Sequence, residues 1–419
     1  MDMISQLPDE LLLRILSRLP TTKDVVATMV LSKRWKFLWM FVPRLVYDDS
    51  YRHGRFSQFV DRSLIFHKAQ ILETLCFNLF RTYGSGDLHV WIRAADKCCV
   101  RELIIHVSSR SETPVVLPRS LFSEGCRKVV TLKLSNAILV DVSSPISFPS
   151  LKNLSLISMK YPGDEFVKRL LSSCPVLEDL IVVQCPDDNV TIFTVRVPSL
   201  KRLWMCKLPK RYIDDADGYV IDAPSLETMA ITVQRGGLCV IENDMPNIVQ
   251  ACIDVNSSLP RMILSFVTLV KRLYLLCLPT AKDAYPVGSI FRCLVHLKIC
   301  TCETEWLNLL IRVLEDSPYL RVLKLEQYHR RRDNQPRPYW SEPSSVPLCM
   351  VSSLETIEWV DYEGTKEEKE VAAYILRNGS FLDKVTIKPK STSHYEKLEM
   401  IKELSLSPRS SPTCRLYFD

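Results

Sequence analysis

The sequence predicts a mixed α/β fold in which three short N-terminal helices precede an irregular solenoid of repeated strand-and-return units. Three observations carry this prediction. A six-residue apolar pattern recurs along most of the chain, a helical segment comes before its first copy, and a proline-rich loop comes before a distinct C-terminal segment. Apolar residues make up 47% of the 419 residues, so the chain can bury an extended core.

The repeated pattern is apolar-x-x-apolar-x-apolar, and successive copies begin 22 to 34 residues apart. Most of these intervals lie in or near the 20–29 residues of leucine-rich repeats, which stack into a horseshoe. A short strand places alternate side chains inward, and one unit cannot cover its own apolar face, so neighbouring units share a core. The copies begin at Leu72, Val100, Val129, Leu151, Leu177, Leu200, Leu226, Ile248, Val270, Leu294, Leu320, Leu354 and Leu382.

Some repeats contain a helix on the return path between strands. Asp164 to Ser173 and Thr304 to Ser317 place apolar residues on one face at helical spacing and stop close to a proline. Other units are entered by a proline turn that leaves no room for a helix, so the array is predicted to be irregular. Cys185 and Cys302 follow the first leucine of their repeats by eight residues. The consensus places an inward Asn or Cys there, which predicts a packing role for both thiols.

Residues 4–45 precede the array and are predicted to form three short helices. Pro8 fits the first position of a helix, and Thr22 and Ser32 are predicted to cap the second and third helices. About 40 residues cannot bury all the apolar side chains of this segment alone, which favours binding to a partner. The alternative is that the helices simply cap the array, but a cap needs a polar outer face.

The C-terminal segment follows a polar, proline-rich loop and is predicted to cap the other end of the array. A capping box from Thr365 to Glu368 opens a helix that Gly379 ends. A strand from Lys384 to Pro389, a helix from His394 to Ser405 and a final strand from Thr413 to Phe418 follow.

Motifs in both terminal segments match a known family. The N-terminal motifs are Leu7-Pro8-Asp9-Glu10-Leu11-Leu12, Ile15-Leu16-Ser17-Arg18-Leu19-Pro20 and Val30-Leu31-Ser32-Lys33-Arg34-Trp35. They resemble the F-box. The C-terminal motifs are Trp340-Ser341-Glu342-Pro343, Ser353-Leu354-Glu355-Thr356-Ile357-Glu358-Trp359, Tyr362-Glu363-Gly364 and Ser407-Pro408-Arg409-Ser410-Ser411-Pro412. They look like the FBD domain. The chain therefore resembles the plant F-box/FBD/LRR-repeat family, with an F-box at 1–45, a repeat array at 46–338 and an FBD domain at 339–419.

The resemblance implies a substrate-recognition subunit of an SCF-type ubiquitin ligase, with no catalysis and no cofactor of its own. F-boxes of this type dock on a Skp-type adaptor, which links them to cullin and RING subunits, while the remaining chain binds a protein substrate. Carried over from the family, the adaptor contacts include Leu7, Pro8, Leu11, Ile15, Leu16, Val30, Leu31 and Trp35.

A candidate substrate-binding face follows from the repeat pattern. In each copy, the residue between the second and third apolar positions points away from the core. In the middle of the array these residues are apolar or aromatic, and lysines flank them, which is typical of a binding site. The alternative is that neighbouring loops cover these side chains. The candidates are Ile181, Trp204, Tyr274 and Lys298.

Several function classes are disfavoured by composition. Lys and Arg exceed Asp and Glu by 54 − 48 = 6 and are scattered, whereas nucleic-acid binders concentrate basic residues. No apolar stretch reaches the roughly 20 residues that span a bilayer. The first residues do not resemble a signal peptide, so we expect a cytoplasmic or nuclear protein whose 15 cysteines are reduced. With 11 glycines in 419 residues, the chain lacks glycine-rich phosphate loops, and no metal-ligand spacing or catalytic motif occurs.

Two alternative functions remain open. One is an F-box receptor that needs a small-molecule co-ligand, which would require Lys and Arg to converge on one rim. The other is a non-degradative interaction scaffold that never joins a ligase, which an absence of adaptor binding would reveal.

Overall fold

The computed structural model divides the chain into two compact units. The first comprises residues 1–211 and 216–223, and the second comprises residues 212–215 and 224–419. The structure describes residues 7–50, 55–81, 83–108, 114–186, 188–207, 217–233, 238–255, 260–277, 285, 290–302, 306–329 and 340–418.

Three short helices open the first unit. They are α1 (Asp9–Leu16), α2 (Thr22–Ala27) and α3 (Trp35–Leu38), and 3₁₀ turns at Thr28–Val30 and Trp39–Phe41 follow the last two.

The two predicted helix caps are corrected. The side chain of Thr21, not Thr22, accepts a hydrogen bond from the Asp24 backbone N–H and completes a capping box at the start of α2. The third helix starts after Arg34, two residues beyond Ser32, and no side chain caps it. In the first case the cap is the preceding threonine, and in the second the helix begins later than predicted; helix starts are set to within one or two residues by packing as well as by sequence.

A parallel sheet forms the body of the first unit. Each strand pairs with its neighbour so that equivalent positions of successive repeats lie side by side, for example Leu132, Leu154 and Leu180. These residues are almost fully buried and form one row of a shared core. In sheet order, the strands are β1 (Arg44–Asp48), β2 (Thr74–Leu79), β3 (Glu102–Val107), β5 (Thr131–Ser135), β7 (Asn153–Ile157), β8 (Asp179–Gln184) and β10 (Arg202–Lys207).

Short secondary strands and return helices cover the first unit's core. The strands β4 (Val115–Val116) and β6 (Ala137–Ile138) pair with each other, as do β9 (Ile192–Arg196) and β11 (Gly218–Asp222). The return helices are α4 (Phe56–Phe66), α5 (Ser85–Lys97) and α6 (Asp164–Ser172), and only α6 was predicted from the sequence. Behind β1 and β2 the rings of Tyr47, Phe77 and Trp91 stack, with centroids 5.4 and 5.5 Å apart.

The second unit is built on the same plan and includes the C-terminal segment. Its strands pair in parallel from β12 to β20, so the sheet continues through the last three strands. The strand β13 (Leu238–Ile241) lies outside this order. In sheet order, the strands are β12 (Thr228–Val233), β14 (Gln250–Val255), β15 (Arg272–Cys277), β16 (His296–Cys300), β17 (Val322–Glu326), β18 (Thr356–Tyr362), β19 (Lys384–Pro389) and β20 (Arg415–Phe418).

Among the described residues of the second unit, three helices lie in segments predicted to be helical, and two short ones, at Pro260–Phe266 and Leu348–Ser352, were not predicted. The capping box at the start of α10 is present, because the Thr365 hydroxyl accepts from the Glu368 N–H at 3.3 Å and the Glu368 carboxylate accepts from the Thr365 N–H at 3.2 Å. The start of the helix predicted from Thr304 lies outside the described residues. The helices are α7 (Pro260–Phe266), α8 (Trp306–Glu315), α9 (Leu348–Ser352), α10 (Lys366–Asn378) and α11 (His394–Ser405).

Candidate functional site

The N-terminal helices expose a set of apolar side chains. On α1, Leu11 and Ile15 lie one turn apart and are 42% and 43% exposed. At the end of the turn after α2, Val30 and Leu31 are 88% and 62% exposed. An exposed proline and a half-buried leucine precede α1. Apolar side chains exposed together on one small segment are typical of a protein-binding site. This N-terminal apolar surface consists of Leu7, Pro8, Leu11, Ile15, Val30 and Leu31.

Two of the predicted adaptor contacts face inward. Leu16 is 1% exposed and Trp35 is 4% exposed, and both belong to the buried side chains of the three helices, as do Leu12 and Leu38. Their burial gives them a packing role within this chain. A direct contact between them and an adaptor stays a prediction.

Two exposed aromatic side chains were not singled out from the sequence. Phe37 is 54% exposed and Phe41 is 45% exposed. They belong to the run from Trp35 to Phe41, which is apolar at nearly every position. A helix that is apolar all round cannot bury every side chain against one core, and this is the signal that could have identified them.

Hydrogen bonds connect the segment of the three helices to the sheet of the first unit. The Val46 backbone N–H on β1 donates to the buried Thr22 hydroxyl at 2.7 Å. The guanidinium of Arg44 donates to the Leu19 carbonyl at 3.2 Å, and Arg34 forms an ion pair with Asp9 on α1. The first two bonds attach the helices to β1, and the Arg34–Asp9 pair joins the start of α3 to α1. The N-terminal apolar surface is thus held in a fixed arrangement, which lowers the entropic cost of binding a partner.

The strands of the first unit carry the first two candidate substrate-binding residues. Ile181 on β8 and Trp204 on β10 lie side by side in the parallel register. Trp204 is 49% exposed and Ile181 is half-buried. Next to them, Arg202 pairs with Asp179 across the same two strands. The structure therefore presents a large exposed aromatic ring with a charged pair at its border.

The other two candidate substrate-binding residues lie in the second unit, and their side chains are less exposed than that of Trp204. Tyr274 on β15 and Lys298 on β16 are side by side in register, and both are half-buried. The Lys298 ammonium lies 2.9 Å from the Glu326 carboxylate and 5.2 Å from the centroid of the Tyr328 ring. Lys298 is thus a paired side chain. The prediction that all four candidates share one binding face stays a prediction.

A ladder of alternating charges crosses the strands next to Lys298. Glu326 accepts from Lys298 and from Lys324, and Glu358 accepts from Lys324 at 3.4 Å and from Lys388 at 2.9 Å. Burial alone would raise the pKa of Glu326, but hydrogen bonds and charge from Lys298 and Lys324 outweigh it and lower that pKa. Both carboxylates therefore stay ionised at neutral pH. We call these five residues the charge ladder.

Features of other function classes are absent from the described part of the chain. Across those residues, no three or more His, Cys, Asp or Glu side chains are grouped so that they could hold a metal ion. Within the same residues, no helix is long and apolar enough to cross a membrane.

Comparison with known proteins gives matches along the whole chain. The F-box domain matches residues 4–47, the LRR repeats of an FBD-associated F-box protein match residues 88–241, and the FBD matches residues 342–387. Similar proteins come from Arabidopsis thaliana. One named "Probable FBD-associated F-box protein" is 60% identical over 425 residues, covering 100% of both chains. An F-box/FBD/LRR-repeat protein is 48% identical over 429 residues, covering 100% of this chain and 99% of the relative.

Proposed function

The chain belongs to the FBD-associated F-box proteins, and from this premise we propose that it is the substrate-recognition subunit of an SCF-type ubiquitin ligase. Proteins of this family are generally non-catalytic adaptors. In this role the N-terminal helices bind a Skp-type adaptor, the adaptor connects them to cullin and RING subunits, and the repeat and FBD regions hold a protein substrate.

The observation that carries the proposal is the N-terminal apolar surface. Val30 and Leu31 expose most of their side chains although the segment has a buried core of its own. Covering such side chains releases water and supplies the main favourable free energy of association. The attachment through Thr22 and Arg44 holds this surface fixed relative to the sheet that would carry the substrate.

The first prediction tests adaptor binding with the double variant Val30→Glu and Leu31→Glu. Both side chains are exposed, so the charges stay hydrated in the free chain and the melting temperature should remain near the parent's. Bound to an adaptor, the charges would be buried without partners, which costs at least about 1.4 kcal/mol, or about tenfold in Kd. The measurement is the Kd of the purified full-length chain for a Skp-type adaptor.

Val90→Glu is the matched control, because Val90 is 54% exposed on α5 and lies outside the N-terminal helices. It should bind the adaptor like the parent. Equal binding by the double variant and the parent would contradict the proposed docking surface. If the parent binds the adaptor but the complex of chain and adaptor recruits no cullin, the chain is an interaction scaffold instead of a ligase subunit.

A further inference from the structure

Two cysteines in the second unit have their sulfur atoms next to each other. Cys300 is the last residue of β16 and Cys302 follows two residues later. Their Sγ atoms are 3.0 Å apart, and the residues are 3% and 4% exposed. The residue between them is held in place by a backbone hydrogen bond from the Thr301 N–H to the Glu326 carbonyl. The two thiols are therefore neighbours in a fixed turn.

The surroundings of Cys300 favour its thiolate form. A hydrogen bond with the Cys302 thiol and the backbone N–H groups of His329, Cys302 and Tyr328 lower the pKa of Cys300 to about 6, although burial opposes them. The Tyr328 N–H lies 3.2 Å from the sulfur. These donors favour the thiolate of Cys300 over its thiol, and the thiolate is the form that reacts with oxidants.

Other buried cysteines of the described chain behave in the opposite way. Burial raises the pKa of Cys174 to about 11, and that of Cys239 and Cys349 to about 12. Hydrogen bonds from Ser173 to Cys174 and from the backbone N–H of Met350 to Cys349 act against burial but do not outweigh it, so these thiols stay protonated at neutral pH. Burial alone therefore does not account for the properties of Cys300, and the arrangement of donors around its sulfur does.

We propose that Cys300 and Cys302 form a peroxide-reactive dithiol that closes to an intramolecular disulfide. The Cys300 thiolate attacks one oxygen of a hydroperoxide, the O–O bond breaks, and a sulfenic acid and an alcohol or water are formed after the departing oxygen takes up a proton. The Cys302 thiol then attacks the Cys300 sulfur, so the S–S bond forms, the S–O bond breaks and water leaves. Each sulfur is oxidised by one electron and the peroxide is reduced by two.

The sulfur separation differs from that of two thiolates bound to one zinc ion. Two thiolates on one tetrahedral zinc ion, with Zn–S distances of about 2.3 Å, would be about 3.7 Å apart. The observed 3.0 Å is shorter than this, so the two sulfurs would have to move apart to share one zinc ion.

Oxidation would also change the neighbouring surface. A disulfide sulfur is a weaker hydrogen-bond acceptor than a thiolate, so the hydrogen bond from the Tyr328 N–H to the Cys300 sulfur would weaken. The Tyr328 ring packs against the Lys298 ammonium, and the His329 Nε2 lies 3.2 Å from the Asp254 carboxylate. The dithiol chemistry does not depend on the proposed ligase role, but its effect on substrate binding would.

The test uses the full-length chain treated with equimolar hydrogen peroxide, quenched with acid and alkylated in denaturant. Trypsin cleavage after Lys298 and Arg312 gives one peptide, residues 299–312, that contains only these two cysteines. We expect it to escape alkylation and to be two hydrogen atoms lighter, and dithiothreitol should reverse both changes. The adjacent and more exposed Cys98 and Cys99 provide an internal control in the same digest and should remain alkylated.

Two variants separate the roles of the sulfurs. Cys302→Ser should stop at a Cys300 sulfenic acid that dimedone traps, and Cys300→Ser should leave Cys302 reduced. If either variant fails to fold, the parent chain still tests the proposal. Its rate of disulfide formation should fall as the pH drops through about 6. The proposal is overturned if the native peptide stays a dithiol, if Cys302 oxidises equally in Cys300→Ser, or if equimolar zinc protects the pair from alkylation.

Discussion

Trp204 exposes about half of a large aromatic ring on a rigid strand. It lies beside Ile181 in the parallel register, and the Arg202–Asp179 pair borders it. Tryptophan at such positions is the residue type that most often dominates a protein interface, because it buries a large area with few rotatable bonds. Since the ring is already half in water, its removal should cost the free chain little.

The second prediction is that Trp204→Ala weakens substrate capture while melting temperature and adaptor binding stay near the parent's. The measurement is proximity labelling in cells with the proteasome blocked, comparing proteins labelled by the parent and by the variant. Tyr319→Ala is the control, because Tyr319 is 64% exposed but lies in the turn before β17. A melting temperature several degrees lower would place Trp204 in the core, and unchanged labelling would place the substrate elsewhere.

Among single residues, the sequence could indicate which side chains belong to the N-terminal helices but not which way each one faces. On α1, Leu12 and Leu16 form an inward stripe at i, i+4 spacing, and Leu11 and Ile15 form an outward stripe at the same spacing. Both stripes satisfy helical periodicity equally well. Only the packing of α1 against the other helices distinguishes them, and this packing is a tertiary property.

At the scale of elements, the strands were the most predictable part of the fold. The apolar pattern requires two inward side chains per strand, and this leaves little choice of register. The helices α4 and α5 were missed, because their segments contain polar residues such as Asp61 and Asp87 and no strong stop signal. In the structure Asp61 accepts a hydrogen bond from the buried Trp91 indole at 2.8 Å, a contact between two helices that no local pattern shows.

The start of α10 combines a strong cap with a buried carboxylate. Glu368 is 8% exposed and accepts hydrogen bonds from the backbone N–H groups of Thr365 and Glu363. Burial is the largest influence and raises the pKa of Glu368 to about 7, with the Glu363 charge adding to it and the backbone donors acting against it. In the unfolded chain the pKa is about 4.3. The native state therefore binds the Glu368 proton more tightly than the unfolded state does.

The third prediction follows from the sign of this shift. Between about pH 4.5 and 7 the native state binds more protons than the unfolded state, so the free energy of unfolding falls as pH rises. Glu368→Gln removes this titration and should be more stable than the parent at pH 8, by on the order of 1–3 kcal/mol, and about equally stable at pH 4.5. Urea unfolding of both proteins between pH 4.5 and pH 8 measures this difference in the free energy of unfolding. Glu370→Gln, on the exposed side of the same helix, is the control and should run parallel to the parent.

At the scale of the whole molecule, the order of the three regions was predicted correctly, because each has its own local motif. The F-box, repeat and FBD matches follow one another as expected. The horseshoe and the domain boundaries stay predictions. The sequence did indicate that the repeat pattern continues into the C-terminal segment at Leu354, and in the second unit β17 pairs directly with β18.

The C-terminal segment covers the core of the second unit. Trp359 on β18 packs edge-on against Trp306 on α8, with ring centroids 5.9 Å apart. The Ser353 hydroxyl donates to the Leu320 carbonyl at 2.9 Å, and the Cys349 thiol donates to the Leu314 carbonyl at 3.4 Å. Without this segment, the β17 edge and the face of α8 would be open to water.

The last prediction is that a chain stopped at residue 338 aggregates or loses cooperative melting. The open end of a repeat array exposes core side chains, and an unpaired strand edge is a template for association. The control is a chain stopped at Pro412, which lacks β20, a strand whose side chains are alternately exposed and half-buried. It should keep cooperative unfolding, because β18, β19 and α10 still cover the core. Thermal melting and light scattering of both truncations measure the difference. A soluble, cooperative chain ending at 338 would mean that the array needs no C-terminal cover, and the FBD would then be a separate module attached to a complete solenoid.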